Sequence, residues 1–199
     1  MSYENQKKGV MKYLLSGAIV GGAIVGLADH YRNTSYAEDG SKLTRMRGKD
    51  LENLVQAQNY LFPQHFFNGE GTVSLMSHHG YYLVAESDGS LNANRDQALE
   101  WETWTPEIHG QDTVAMRAWH GKYMVCEGDG GANANRDVAL GWEEWEIWYN
   151  ECPDYRNDWE CVSLRSHAHG KWLCAEGHDN SVNCNRDAAL EWETWHGMN

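Results

Sequence analysis

The chain has 199 residues, with ten Trp, ten Tyr and twenty Gly but only three Pro, a composition typical of a turn-rich all-β domain in which aromatic side chains supply buried area. Its formal net charge is -13, from 16 Lys and Arg against 29 Asp and Glu, and residues 51–199 alone carry eight basic against 24 acidic side chains, or -16. Because so acidic a region repels nucleic acid and anionic lipid, we expect no polyanion as its partner.

The first feature along the chain is an uncharged stretch, residues 13–28, with the sequence YLLSGAIVGGAIVGLA. As a helix it would rise roughly 24 Å against a hydrocarbon core of roughly 30 Å, and the stem of Lys12 extends its reach. Small residues recur at Gly17/Gly21 and Gly22/Gly26, a spacing that lets membrane helices pack closely. Residues 1–28 are therefore predicted to be an N-terminal membrane helix within the lipid bilayer, with a signal segment as the alternative.

Residues 29–68 are predicted to be a polar linker that contains a short amphipathic helix. Asp50 is a suitable N-cap for this helix and Pro63 is a suitable stop. The apolar residues between them fall on one helix face, namely Leu51, Leu54, Val55 and Leu61. This face is expected to pack against the following domain or a neighbouring protein.

Residues 69–199 contain an internal repeat. The segment 92–104, NANRDQALEWETW, returns at 133–145 as NANRDVALGWEEW and at 183–195 as NCNRDAALEWETW, so that nine of its thirteen positions are identical in all copies. Two apolar runs separated by a His-Gly turn precede each copy, and each unit therefore predicts four strands. An insertion near residues 149–159 explains the longer second interval. Three pseudo-symmetric four-strand units predict a β-trefoil, a six-stranded barrel capped by three hairpins.

Each copy of the repeat ends in two tryptophans. The second Trp of each set is predicted to fill the barrel core (Trp104, Trp145 and Trp195). The first Trp is also assigned to the structural repeat core and is expected to roof the loop that precedes it (Trp101, Trp142 and Trp192).

The repeated Asn-Arg-Asp residues have two interpretations. They either present three equivalent ligand sites or build one turn geometry, in which Asn and Asp bond to backbone and Arg pairs with a carboxylate or stacks on Trp. Identity in all three copies favours the structural interpretation, because a ligand site usually drifts in some copies. The residues concerned are Asn94, Arg95, Asp96, Asn135, Arg136, Asp137, Asn185, Arg186 and Asp187.

The five cysteines divide into two groups. Cys152 and Cys161 bracket the insertion and are the candidate disulfide in an oxidising compartment. The other three occupy strand positions that hold Ala or Val in other copies, and are expected to be small buried apolar residues (Cys126, Cys174 and Cys184).

Motifs for catalysis and metal binding give little signal. Three histidines precede Gly at matching turn positions (His79, His120 and His169). They could bind a metal if they converged on a threefold axis, but His before Gly is also common in exposed turns, and we favour that interpretation. We find no zinc-ligand spacing, no phosphate-binding Gly loop and no nucleophile with a base at suitable spacing. The sequence therefore predicts a protein that is not an enzyme, with no metal and no cofactor.

The repeat resembles the fascin-like family of β-trefoils, whose units read approximately V-x-L-x-S-x-x-G-K-Y-L-x-A-E, then A-N-R, then W-E-x-F. Here residues 162–176 read VSLRSHAHGKWLCAE, residues 184–186 read CNR and residues 192–195 read WETW, with Trp in place of the closing Phe. The resemblance implies the fold but not the function. Fascins bundle actin with tandem trefoils and basic surfaces, whereas this chain has one trefoil and an acidic surface.

Three functions are weighed on these grounds. The first is a non-catalytic, single-pass accessory subunit of an organellar membrane, mitochondrial inner or thylakoid, whose trefoil head docks on a larger complex of membrane-protein subunits from the outer or lumenal side. The second is a secreted or anchored lectin-like trefoil that binds carbohydrate through exposed aromatics (Trp119, Trp159 and Trp172). The third is an actin or cytoskeletal linker, as the family resemblance implies.

Overall fold

The computed structural model describes residues 34–36, 42–45, 47, 71–150 and 161–198. The predicted membrane helix, residues 1–28, and the predicted helix that begins near Asp50 lie outside these ranges. Within them, no helix has the length and apolar character needed to cross a membrane.

The first described strands, β1 (Thr34–Tyr36) and β2 (Lys42–Arg45), form an antiparallel hairpin. The twelve strands that follow fall into three units of four, each with a short 3-10 helix before its last strand. Unit 1 contains β3 (Ser74–Ser77), β4 (Tyr82–Ala85), β5 (Leu91–Arg95), the 3-10 helix Glu100–Glu102 and β6 (Trp104–Ile108). Unit 2 contains β7 (Val114–Ala118), β8 (Tyr123–Cys126), β9 (Ala132–Arg136), the 3-10 helix Gly141–Glu143 and β10 (Trp145–Asn150). Unit 3 contains β11 (Cys161–Ser166), β12 (Trp172–Ala175), β13 (Val182–Arg186), the 3-10 helix Glu191–Glu193 and β14 (Trp195–Met198).

The first and last strands of the units form a closed six-stranded barrel. Its antiparallel order is β3-β14-β11-β10-β7-β6. Val73 and Trp104 close the ring by exchanging two backbone hydrogen bonds of 2.8 Å each. Closure leaves the barrel without a free sheet edge.

The middle strands of the units form three hairpins, β4–β5, β8–β9 and β12–β13, that meet around a pseudo-threefold axis. Each hairpin donates one backbone hydrogen bond to another, with the pairs Ala134 to Gly89 (2.7 Å), Cys184 to Gly130 (2.8 Å) and Ala93 to Asn180 (2.8 Å). The accepting turn residue has a positive φ in every copy, and glycine fills it twice because a Cβ at Gly89 would come 2.9 Å from the Cβ of Asn135. A barrel with three such hairpins is a β-trefoil, as the repeat predicts.

The core is built from the last tryptophan of each unit. Trp104, Trp145 and Trp195 are fully buried. Each indole N–H donates, at 3.2 Å, to a carbonyl in the second strand of its own unit, namely that of Leu83, Met124 or Leu173. Each tryptophan therefore ties a barrel strand to a hairpin, and its one polar group is satisfied inside the core.

The N-terminal hairpin extends the trefoil sheet. β2 pairs with the outer half of β10, with Arg45 opposite Trp148. The Arg45 guanidinium lies 2.9 Å from the buried Glu146 carboxylate, which also contacts His167 at 3.1 Å. Residues predicted to be linker, within 29–68, thus include a hairpin that belongs to the folded head. Local sequence pattern did not indicate this pairing because its partner strand lies about one hundred residues further along the chain.

Candidate docking surface

The arginine of each repeat is held between two carboxylates. Arg95 Nη2 lies 2.9 Å from Glu86 Oε1, and its Nε lies 3.8 Å from Glu102 Oε1. The same two contacts recur at 2.7 and 3.6 Å in unit 2 and at 2.5 and 3.6 Å in unit 3, where the residues are Arg136 with Glu127 and Glu143, and Arg186 with Glu176 and Glu193. These arginines are engaged inside the loop, which supports the structural interpretation of the repeat.

The asparagine before each arginine takes part in the same network. The side-chain oxygens of Asn94, Asn135 and Asn185 accept hydrogen bonds from the following guanidinium at 2.5, 2.6 and 2.8 Å. The aspartate after it binds a lysine in two copies, since Asp137 pairs with Lys122 and Asp187 with Lys171. Asp96 has Tyr81 at the corresponding position.

A buried glutamate fixes the 3-10 helix of each loop. Glu102 Oε2 accepts the backbone N–H of Leu99 at 2.9 Å. The equivalent bonds in the other units, from Leu140 to Glu143 and from Leu190 to Glu193, are 2.8 Å. Each glutamate is only 3% exposed, and a charge so buried requires partners, which the amide and the arginine supply. The glutamate therefore points inward and sets the direction of the residues beside it.

The leucine and the first tryptophan of each loop point to solvent. Leu99, Leu140 and Leu190 are 67%, 65% and 39% exposed, and Trp101, Trp142 and Trp192 are 37%, 47% and 38% exposed. The assignment of these three tryptophans to the repeat core is therefore wrong. The alternation of a strand does not continue through the 3-10 helix, where the glutamate takes the inward position.

Each exposed tryptophan lies at a junction between units. Trp192 meets His79 and Trp142 meets His169, edge to face, with ring centroids 5.3 and 5.0 Å apart. At the third junction Trp119 stacks in parallel on Trp101 at 5.0 Å and has His120 on its flank. The three histidines thus lie at separate junctions, and within the described ranges no group of three His, Cys, Asp or Glu side chains is placed to hold a metal.

The two aromatics proposed for sugar binding that the structure describes, Trp119 and Trp172, do not provide free ring faces. Trp172 is buried, lies edge to face with Trp148 and has the Arg165 guanidinium 5.8 Å from its ring centre. Trp119 is half-buried, stacked on Trp101, and donates its indole N–H to the Ala85 carbonyl at 2.9 Å. Trp159 lies outside the described residues.

Two of the cysteines expected to be buried apolar residues form a disulfide instead. Cys126 in β8 and Cys184 in β13 are joined across the boundary of units 2 and 3, with their Cα atoms 5.7 Å apart. In the other copies both positions hold alanine. The replacement of Ala by Cys at both positions, in adjoining units, was therefore the feature of the sequence that indicated a disulfide.

The remaining described cysteines, Cys161 and Cys174, differ in their bonding state. Cys161 is disulfide-bonded, and Cys152, the other half of the predicted pair, lies outside the described residues. Cys174 is free and buried, and burial raises the pKa of its thiol. The Cys174 thiol therefore stays protonated and behaves as the small apolar side chain that was expected.

These features define residues 71–150 and 161–198 as a β-trefoil with internal threefold repetition. Its structure is similar to a solved protein described as a designed 3-fold symmetric protein, ThreeFoil, with a TM-score of 0.52 and 17% sequence identity over 65% of this chain and 99% of that chain. At this identity the likeness shows the fold alone. No protein-family model matches the chain, and no curated protein matches it.

Proposed function

We propose that this protein is a non-catalytic, single-pass accessory subunit, anchored by residues 1–28, whose trefoil head docks on a larger membrane protein complex. One observation carries the proposal: the repeated polar residues are used mainly inside the loops, whereas the repeated Leu and first Trp face solvent. Exposed apolar side chains that recur at equivalent places are typical of interaction surfaces, and Trp is enriched among residues that dominate binding energy.

The kind of surface favours a protein partner over a sugar. The exposed Trp101, Trp142 and Trp192 each follow within two residues of a leucine that is 39% to 67% exposed. A sugar site needs polar groups around the ring to bond hydroxyl groups, whereas Leu beside Trp suits an apolar contact with a protein. The lectin-like alternative therefore has less support than docking.

The proposed location is an organellar membrane, mitochondrial inner or thylakoid, with the head on the outer or lumenal side. The disulfide between Cys126 and Cys184 and the disulfide-bonded state of Cys161 support an oxidising compartment for the head.

We also propose that the trefoil is of the fascin-like type, and the three repeated motifs support this proposal. The acidic charge of the trefoil argues against an actin-bundling role.

The test is purification of the native protein from its source membrane in mild detergent, with intact-mass analysis and carbonate extraction. We expect an uncleaved N-terminus, resistance to carbonate, and a stoichiometric complex. A triple variant, Leu99→Ser, Leu140→Ser and Leu190→Ser, should lose the complex while keeping the fold. Its matched control is Gln97→Ser in the same loop. A mass that begins near Asp29 or Glu38, with the protein alone in the soluble fraction, would overturn the proposal.

A further inference from the structure

One loop departs from the threefold pattern at the residue that faces its aspartate. Lys122 pairs with Asp137, and Lys171 Nζ lies 2.5 Å from Asp187 Oδ1. The corresponding residue in unit 1 is Tyr81, which is 40% exposed. Tyr82 pairs with Arg95 just as Tyr123 pairs with Arg136, so Tyr81 adjoins Asp96 in the sheet register. Within the described part of the chain, the Asp96 carboxylate has no hydrogen-bond or ion-pair partner.

A second carboxylate on the same loop is also unpaired. The Glu100 side chain is exposed and, among the described residues, contacts no cation. The equivalent residue is Gly141 in unit 2, and in unit 3 it is Glu191, which lies 3.8 Å from His78. Between the two free carboxylates stands Leu99, 67% exposed. We call the set Tyr81, Asp96, Leu99, Glu100 and Trp101 the Tyr81 patch.

The other two units show which chemical group binds the aspartate that corresponds to Asp96. In both of them a primary ammonium group binds the aspartate beside the loop. In unit 1 that ammonium is absent, an aromatic ring stands in its place, and the Glu100 carboxylate has no cation beside it among the described residues. A ring next to carboxylates attracts a cation both by charge and through its π face. Leu99 and Trp101 of the same loop add exposed apolar side chains, and the Trp101 ring is stacked on Trp119.

We propose that the Tyr81 patch is the docking site for a partner-protein segment that carries lysine or arginine next to an aliphatic residue, and that the partner's cation binds Asp96 as Lys122 and Lys171 bind Asp137 and Asp187. This inference rests on the proposed docking function and specifies its partner. The net charge of -16 on residues 51–199 favours the same kind of segment at longer range.

The test uses the full chain in detergent micelles and two peptides, acetyl-Leu-Lys-Leu-Lys-amide and its counterpart with Glu in place of Lys. The readout is the NMR signal of each indole N–H, assigned through Trp101→Phe and Trp142→Phe. The Lys peptide should shift the Trp101 signal and the Glu peptide should not. The shift should weaken at high salt, because exposed charge pairs are screened.

A pair of reciprocal variants locates the site. Tyr81→Lys supplies the missing ammonium from the chain itself, and should weaken binding of the Lys peptide at Trp101 about tenfold or more. Lys122→Tyr frees Asp137 and should create a second site, seen as a new shift of Trp142. Asp96→Asn should also abolish the Trp101 shift, and thermal melting checks that all three variants fold. Equal shifts at all three loops of the unaltered protein, or an unchanged Trp101 shift in Tyr81→Lys, would overturn the inference.

The native complex separates this inference from the function on which it rests. The Tyr81→Lys chain should no longer co-purify with partners from the membrane, whereas Lys122→Ala should. A complex that survives Tyr81→Lys would overturn the docking site and leave the accessory-subunit proposal in place. Absence of a complex for the unaltered chain would overturn the proposed function itself.

Discussion

Trp142 and Trp145 are three positions apart and lie in opposite environments. Trp145 is fully buried and bonded to the Met124 carbonyl, whereas Trp142 is 47% exposed. Glu143 lies between them and its carboxylate points inward, so that Trp142, the residue before it, points to solvent. The strand β10 then begins at Trp145, which points into the core. The same side chain type is therefore a core residue at one position and a surface residue at the other.

Trp145→Ala should lower the free energy of unfolding by about 3 to 5 kcal/mol, because it opens a large cavity and leaves a buried carbonyl without its donor. Trp142→Ala, the matched control in the same unit, should cost less than about 1 kcal/mol. Urea unfolding followed by near-UV circular dichroism measures both. Similar losses for the two variants would contradict the division into core and surface tryptophans.

We expect His120 to make the stability of the fold depend on pH. Burial lowers the pKa of His120, and the nearby Lys122 charge adds to this effect. Its Nδ1 accepts the backbone N–H of Lys122 at 3.2 Å, a bond that only the neutral ring makes. The pKa of His120 is therefore lower in the folded chain than in the unfolded chain. The stabilisation that neutral His120 gives the fold is fully present above the unfolded pKa of about 6.5, and it is lost as pH falls from there through the folded pKa.

His120→Gln should therefore be less sensitive to acid than the unaltered protein. The comparison is the difference in urea midpoint between the two proteins at pH 7.5 and at pH 5. The unaltered protein should have the higher urea midpoint at pH 7.5. This advantage should shrink or reverse at pH 5, because Gln, unlike His120, does not gain a proton. A difference that stays constant between the two values would rule out the role of His120.

At the scale of elements, the strands of the repeat were readable from the sequence and the loops between them were not. The apolar runs on either side of each His-Gly turn became strands, as at β7 and β8, because a short apolar run bounded by turn residues is typical of a buried strand. The 3-10 helix was missed, since its geometry depends on a buried glutamate that accepts a backbone N–H rather than on apolar periodicity. The outward direction of Trp101, Trp142 and Trp192 follows from that missed element.

Glu143→Ala should cost about 1 to 2 kcal/mol, because it removes the acceptor of the Leu140 amide and one partner of Arg136. Glu143→Gln keeps an oxygen for the amide and should cost less. Hydrogen exchange at Leu140, together with urea unfolding, reports the two effects separately. If Leu140 exchanges equally slowly in both variants, the carboxylate does not fix the helix.

A buried ion pair joins the N-terminal hairpin to the barrel, alongside its backbone pairing with β10. Burial lowers the pKa of the Arg45 guanidinium, while Glu146 opposes that shift. Arg45→Ala should speed amide exchange in β2 about tenfold or more, since local opening frees the hairpin without unfolding the barrel. The control is Arg47→Ala, whose side chain is 44% exposed and 3.9 Å from Asp112. Unchanged exchange in Arg45→Ala would show that the backbone pairing with β10 holds the hairpin alone.

At the scale of the whole molecule, the threefold repeat predicted the trefoil because twelve strands in three equivalent units of four match the strand count of that fold. The contacts between units are less readable. The disulfide joins residues 58 positions apart in sequence, and the clue to it was present only as two alanines replaced by cysteine. The hairpin β1–β2 was missed for a similar reason, since it pairs with a strand far along the chain.

Replacing both Cys126 and Cys184 by Ala should lower stability by about 4 kcal/mol, as expected for opening a closed loop of this length in the unfolded chain. Cys174→Ala, at a buried and unpaired cysteine, should cost less than about 1.5 kcal/mol. Thermal melting with and without reductant, together with peptide mapping of the unreduced protein, provides the measurement. A melt of the unaltered protein that reductant does not change would contradict the role of this bond.

The pairing of β3 with β14 has a consequence for biosynthesis. Four residue pairs, from Trp195 opposite Ser77 to Met198 opposite Ser74, join the first barrel strand to the last. During translation the barrel therefore stays open until the final strand has left the ribosome tunnel, and the apolar faces of the first two units have no complete cover until then. A nascent chain should therefore need chaperone protection until β14 has emerged, and a chain truncated before β14 should be removed by quality-control proteases.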